Sequence, residues 1–224
     1  MKIEKFFLYF FVSLFVLCIA CQEEKTESIV PNDENTSIPK DSELAALVKN
    51  VTTHDGSFDD IVDKSYCFSI KLPYSIFQNG RILRIDKEED YTNLSTSDKI
   101  EIQFPVTITL SDYREIVIQD ANELSALSSS CRQGEDDDIE CIDFIYPIQV
   151  STFNINTNRL VTEEVVHDSV LFQIINTLNS NLIVSVNYPV DLLLHNSEKV
   201  EVLHNTELTN AILDVISACN ENDN

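Results

Sequence analysis

Four stretches of this chain, FSIKLPYSI (68–76), IEIQFPVTI (100–108), IDFIYPIQV (142–150) and VSVNYPVDL (184–192), align on a central proline. Around Pro73, Pro105, Pro147 and Pro189 the preceding residue is Leu72, Phe104, Tyr146 or Tyr188, and the following one Tyr74, Val106, Ile148 or Val190. Three before the proline stand Ile70, Ile102, Phe144 and Val186; five before, Phe68, Ile100, Ile142 and Val184. Three after it stand Ile76, Ile108, Val150 and Leu192. Even offsets are mostly polar, as with Ser69, Glu101, Asp143 and Ser185, or Ser75, Thr107, Gln149 and Asp191. A period of two with one apolar set is the signature of a strand with one buried face. Agreement over four copies predicts internal duplication. Proline lacks the amide donor, so it belongs at a sheet edge or a bulge. Four cannot all occupy the edges of one sheet, and a repeated bulge is the expectation.

A turn follows each stretch: Asn79-Gly80 is a strong hairpin dipeptide, and Asp112, Asn154–Asn158 and His195–Asn196 hold the equivalent places. Second strands are predicted over Ile82–Ile85, Glu115–Ile118, Leu160–Val166 and Val200–Leu203. Helix caps are then expected at Asp86, Asp120, Asp168 and Asn205, with Asp86/Glu89 and Asp120/Glu123 spaced as capping boxes. The unit thus reads strand, hairpin, strand, helix, and the fold class is α+β. Four ββα units are expected to form one mixed or mostly antiparallel sheet with helices on one face. Two ββαββα halves are the alternative.

Residues 22–40 are polar and proline-containing, which predicts a tether within 21–60. Inside it, Asp41-Ser42 could cap a short helix bearing Leu44, Leu47, Val48 and Val51 on one face. The repeat domain spans 61–219, with units near 65–97, 98–133, 139–180 and 181–219, and a polar tail at 220–224 follows. Cys67 and Cys141 each precede their proline by six residues, while Cys131 and Cys219 each end an even-numbered helix. An even cysteine number in an exported chain reads as disulfides. Pairing within halves (Cys67–Cys131 and Cys141–Cys219) and across them (Cys67–Cys219 and Cys131–Cys141) both obey the pseudo-symmetry. The first is preferred because each half would then be stapled to itself.

The first 20 residues read as a signal peptide: Lys2 and Lys5, an apolar run from Phe6 to Ile19, then small Ala20. Cys21 directly after Ala20 resembles the lipobox of bacterial lipoproteins. That resemblance implies a diacylglyceryl thioether and an N-acyl chain on Cys21, hence a stable membrane anchor. The lipobox position three before the cysteine is Cys18 rather than leucine. Gln22-Glu23-Glu24 resembles an acidic export signal for outward display. Without residues 1–20, Lys plus Arg falls from 15 to 13 and Asp plus Glu from 38 to 37, a formal charge of 13 − 37 = −24. Such acidity excludes a nucleic-acid footprint and electrostatic adhesion to anionic lipid. With 3 glycines, P-loop and Rossmann readings are excluded too.

The acidic run QGEDDDIE (133–140) offers oxygen ligands for Ca²⁺ at Glu135, Asp136, Asp137 and Asp138. It lacks EF-hand spacing, so a solvated loop is expected and no metal or cofactor is assigned. His54, His167, His195 and His204 form no nucleophile–base motif, and no catalytic residue is nominated. Tyr74, Tyr146 and Tyr188, beside the prolines, are expected in the core. Segments 100–127 (IEIQFPVTITLSDYREIVIQDANELSAL) and 137–150 (DDIECIDFIYPIQV) resemble a family of uncharacterised flavobacterial-type (Bacteroidota) surface lipoproteins over nearly all of 65–219. The resemblance implies no activity and no catalytic residues. The expected function is that of a surface-anchored, non-enzymatic binding or structural protein of the outer membrane, with a glycan or protein partner. An accessory carbohydrate- or peptide-binding lipoprotein of an uptake system is the alternative, and a hydrolase the second.

Overall fold

Each aligned proline ends a strand. In the computed structural model, which describes residues 35–131 and 138–216, the expected strands are broken there into β2 (Phe68–Ile70) and β3 (Tyr74–Gln78), β5 (Ile100–Ile102) and β6 (Val106–Leu110), β8 (Ile142–Phe144) and β9 (Ile148–Asn154), and β11 (Leu182–Asn187) and β12 (Val190–Leu194). The four peptide bonds before the prolines are cis. The expected bulge is therefore replaced by a break. A residue without an amide proton cannot continue the ladder, and the two sides of each proline pair with different strands.

The pairing is reciprocal. β2 pairs with β6 (Ile70 opposite Ile108), while β5 pairs with β3 (Ile102 opposite Ile76). In the second half β8 pairs with β12 (Phe144 opposite Leu192), and β11 with β9 (Val186 opposite Val150). In every case the residue three before one proline faces the residue three after its neighbour's. Hairpin partners β4 (Arg81–Ile85), β7 (Glu115–Ile118), β10 (Arg159–Val165) and β13 (Lys199–Val202) complete the sheets. The α+β class holds, but the single sheet does not. Four small antiparallel sheets form instead, in the orders β4-β3-β5, β2-β6-β7, β13-β12-β8 and β1-β11-β9-β10, where β1 is Ser37–Ile38.

Buried apolar residues fall into two clusters, one from Val62 to Leu124, the other from Ile38–Val51 and Ile139–Val215. The first contains Phe68, Ile70, Tyr74, Ile76, Val106 and Ile108; the second Phe144, Ile148, Val150, Val184, Val186, Val190 and Leu192. These are the odd-offset residues, so one apolar face per strand supplies each core. Tyr74 is buried, and Tyr146 and Tyr188 pack against the second cluster.

Residues 35–60 of the expected 21–60 tether belong to the folded unit, while 21–34 lie outside the described residues. Ser42 Oγ caps helix α1 (Glu43–Val51) by accepting from the Ala45 amide at 3.1 Å. Leu44, Ala45, Leu47, Val48 and Val51 of α1 lie in the second core, and α1 packs on helices α4 (Asp168–Asn176) and α5 (Asn205–Ile216). A short 3₁₀ turn (Ser57–Asp59) runs into α2 (Asp60–Asp63), and α3 spans Ala121–Cys131. In the first unit the expected helix is a 3₁₀ segment, Glu88–Asn93.

Three of the four expected caps differ. In the first unit Lys87, not Asp86, holds the cap position, and Asp90 rather than Glu89 closes the box by accepting from the Lys87 amide at 3.2 Å. Asp120 accepts from the Asn122 and Glu123 amides, and Glu123 reaches back to the Gln119 amide, a capping box as read. At α4 the cap is His167, whose Nδ1 accepts from the Ser169 amide, so Asp168 is the first helical residue. His204 Nδ1 likewise accepts from the Glu207 amide, and Asn205 begins α5. An imidazole nitrogen is an acceptor that reaches the orphan amides of a first turn, which frees Asp168 and Asn205 for other bonds. Asp168 Oδ1 accepts from the Tyr146 hydroxyl at 2.6 Å, and Asn205 Oδ1 from the Tyr188 hydroxyl at 2.8 Å. Asn205 Nδ2 also donates to the Ser37 carbonyl, holding β1 on the sheet.

Candidate functional site

A cleft of about 450 Å³ lies among residues of both cores and the segments between them. One wall is the turn after α1, with His54, Asp55 and Phe58; another is the 138–143 segment, with Asp138, Glu140 and Asp143; Tyr113, His167 and Asp168 close it. A second pocket, about 240 Å³, shares Thr53, His54 and Asp138 and is lined also by Lys49, Asp112 and Phe172.

Local sequence explains why these residues meet. Gly56 lies so close to the next strand that a Cβ there would sit 2.4 Å from both Phe68 N and Tyr66 O. Only glycine permits that approach, and it carries His54 over β2. The His54 ring then meets Ser69 Oγ through Nε2 at 2.7 Å, and the His54 amide donates to the Ser111 carbonyl. Tyr113 is the left-handed residue (φ 66°) of a three-residue hairpin loop, a position usually given to glycine. Its hydroxyl donates to the Thr52 carbonyl, and its ring packs against His54, His167 and Phe172. Gln173 Nε2 donates to the Asp112 carbonyl in the same loop. These contacts hold the first half's hairpin against the start of α4.

Six carboxyl side chains and two imidazoles line the larger cleft, with no Lys or Arg among its described residues. Loss of water pushes Asp143 above the usual carboxylate range, and the charges of Asp168 and Asp55 push the same way. Burial holds His54 below its ordinary value, against the upward pull of Asp55. Burial and Asp168 raise the Tyr113 and Tyr146 phenols. The neutral form of His54 therefore adds no positive charge to offset the acids, and a positively charged group is what the cleft's potential favours.

Asp55, Asp138 and Glu140 bring carboxylate oxygens within 4.8 Å of one another, and Ser57 Oγ donates to both Asp55 Oδ1 and Glu140 Oε1. Oxygen ligands of this kind suit a hard cation, although all three are surface or near-surface acids. Of the acidic-run residues, Asp138 thus reaches the cleft; Glu135, Asp136 and Asp137 lie outside the described residues. The Ser69–His54 pair was not foreseen. Ser69 is 2% exposed, so its hydroxyl orients the imidazole and is closed to a substrate. Cys67 and Cys131 form a disulfide across 64 positions, with Cα atoms 6.1 Å apart. Cys141 is buried, while Cys219, like Cys21, lies outside the described residues. Among the described residues no helix is long and apolar enough to cross a membrane.

The cleft residues come from 50–58, Glu88, Tyr113, 138–143 and 167–168, so no local window of sequence contains the site. The one local cue was a tyrosine where a hairpin loop calls for glycine, asparagine or aspartate. The chain matches no family model, no curated protein and no solved structure.

Proposed function

We propose that the chain is a cell-envelope lipoprotein, anchored through Cys21 and displayed outward, whose folded domain binds a partner without transforming it. The observation that supports this reading is the acidic cleft between the two cores, of ligand size and lined by side chains drawn from both. Its charge suits a partner presenting basic groups, such as a peptide bearing Lys or Arg. Thirteen residues, 22–34, lie between Cys21 and Asn35, the first described residue, a length of chain that reaches at most about 45 Å. The cleft would then work within a few nanometres of the membrane.

Titration of the full mature chain with a lysine-rich peptide, an acidic peptide and a neutral glucan, followed by NMR, tests the binding reading. Salt-sensitive shifts at His54, Tyr113 and His167 with the basic peptide alone are expected, weakened in Asp143→Asn. Shifts confined to other surfaces, or none, would contradict it. A hydrolase is the second reading, and the observation in its favour is Asp143, whose carboxyl is pushed upward by burial and by the charges of Asp168 and Asp55. Turnover of a glycan or peptide abolished by Asp143→Asn would replace the first reading with this one.

A further inference from the structure

A row of four aromatic rings runs along the acidic cleft. Phe58 meets His54 edge-on with ring centroids 6.5 Å apart, His54 meets Tyr113 at 5.4 Å, and Tyr113 meets His167 at 6.3 Å. All four residues line the cleft. The middle of the row is fixed by the bond from the Tyr113 hydroxyl to the Thr52 carbonyl and by the contact of His54 with Ser69.

Carboxylates stand on either side of Tyr113. Asp55 follows His54 in the chain and brings an oxygen within 4.8 Å of oxygens on Asp138 and Glu140. Asp168 follows His167, and its charge reaches Tyr113. Asp143, in the same cleft, feels both Asp55 and Asp168. Rings and acids together select a narrow chemistry. Ring faces take apolar surface or the approach of a cation, and carboxylates take ammonium donors. A lysine-bearing peptide meets both only through its side-chain tips, and its backbone brings carbonyl dipoles that the acids repel. A linear polyamine consists of ammonium groups and methylenes alone. An extended aliphatic chain advances about 1.3 Å per bond, so ammonium groups joined by three or four methylenes stand about 5–6 Å apart. The ring row has the same step, 5.4 and 6.3 Å.

We infer, resting on the binding reading above, that the cleft's ligand is a linear aliphatic polyamine. Its methylenes lie along the Phe58–His54–Tyr113–His167 row, and its ammonium groups pair with Asp55 and Asp168.

Calorimetric titration of the full mature chain at pH 7.5 and low salt, with spermidine, putrescine, butylamine and a lysine-rich peptide, tests this. Spermidine should bind tightest, with affinity falling about tenfold for each ammonium removed. Its methylene protons should show NOEs to the Phe58 and Tyr113 rings. Asp55→Asn and Asp168→Asn keep the oxygens that accept from Ser57 and Tyr146, and each should weaken spermidine about tenfold. Glu163→Gln, on the exposed strand β10, changes net charge equally and should leave affinity unaltered. A peptide that binds where spermidine does not would overturn the polyamine and leave the binding reading standing; if neither binds, both fall. Equal affinity for spermidine and butylamine, or an equal loss in Glu163→Gln, would show attraction to overall charge alone and overturn it too. Should either aspartate variant fail to fold, the ring NOEs of the wild-type chain decide, and their absence at saturating spermidine would refute the assignment.

Discussion

Replacing Cys67 and Cys131 together by alanine should loosen the first half and leave the second close to its original stability. The cystine closes 64 positions, from the residue before β2 to the end of α3, which encloses all the strands of the first half. In the loop-entropy account this restricts the unfolded chain by about 14 cal/mol/K, or about 4 kcal/mol at 25 °C. The loss falls on one core because the buried clusters divide at the 124–139 boundary. Removing the buried Cys131 sulfur, which accepts from Ser65 Oγ at 3.2 Å, adds to it. Hydrogen exchange resolved by peptide is the assay. Protection over Phe68–Leu110 should drop by roughly three orders of magnitude, about 1.4 kcal/mol for each factor of ten. Protection over Ile148–Asn187 should change far less. An equal loss in both halves would refute the division into two cores, and a change below tenfold in the first would refute the loop-entropy reasoning.

Gly56→Ala should destabilise by at least about 2–3 kcal/mol, because its Cβ would collide with backbone that cannot retreat; denaturant midpoints measure this, and a loss below about 1 kcal/mol would show that the turn can shift. Tyr146→Phe removes a bond to a carboxylate and Tyr188→Phe a bond to an amide, so the first should cost about 1.5–3 kcal/mol and the second about 1; the reverse order in urea unfolding would contradict the assignment. His54 is held below its unfolded value of 6.5 by burial, so the folded state binds fewer protons than the unfolded one at mildly acid pH. Its contribution is complete above pH 6.5 and declines as pH falls below it, by up to about 1.4 kcal/mol per pH unit. His54→Gln should flatten that part of the stability–pH curve, and an unaltered slope would show that other groups govern it.

The strands were legible because their signal is local. Odd-offset residues such as Ile76, Ile108, Val150 and Leu192 are all buried, and Asn79-Gly80 forms the tight turn its dipeptide demands, with φ 51° and 79°. What the pattern could not contain is the partner of each strand. Phe68–Ile70 and Tyr74–Gln78 read as one strand, yet they pair with different strands, β6 (Ile70 opposite Ile108) and β5 (Ile76 opposite Ile102). A period of two specifies which face is buried, not which neighbour lies beside it. Helix α1 was legible as an amphipathic segment but not as core, since its polar surroundings resemble a tether. The histidine caps escaped notice because aspartate and asparagine, the better capping residues, stand one position later. The cleft was hidden because it gathers distant residues, and in a chain with 38 acidic side chains those that line it carry no compositional mark.

The central proposal, an anchored domain held at the cell surface, is tested most directly by mass spectrometry of the N-terminal peptide from the mature protein in its own membranes. The account predicts a chain beginning at Cys21, with a diacylglyceryl group on sulfur and an acyl group on the amine, removable from intact cells by external protease. An unmodified Cys21 behind a retained Met1–Ala20 segment, or a lipid-free chain in the soluble fraction, would contradict it.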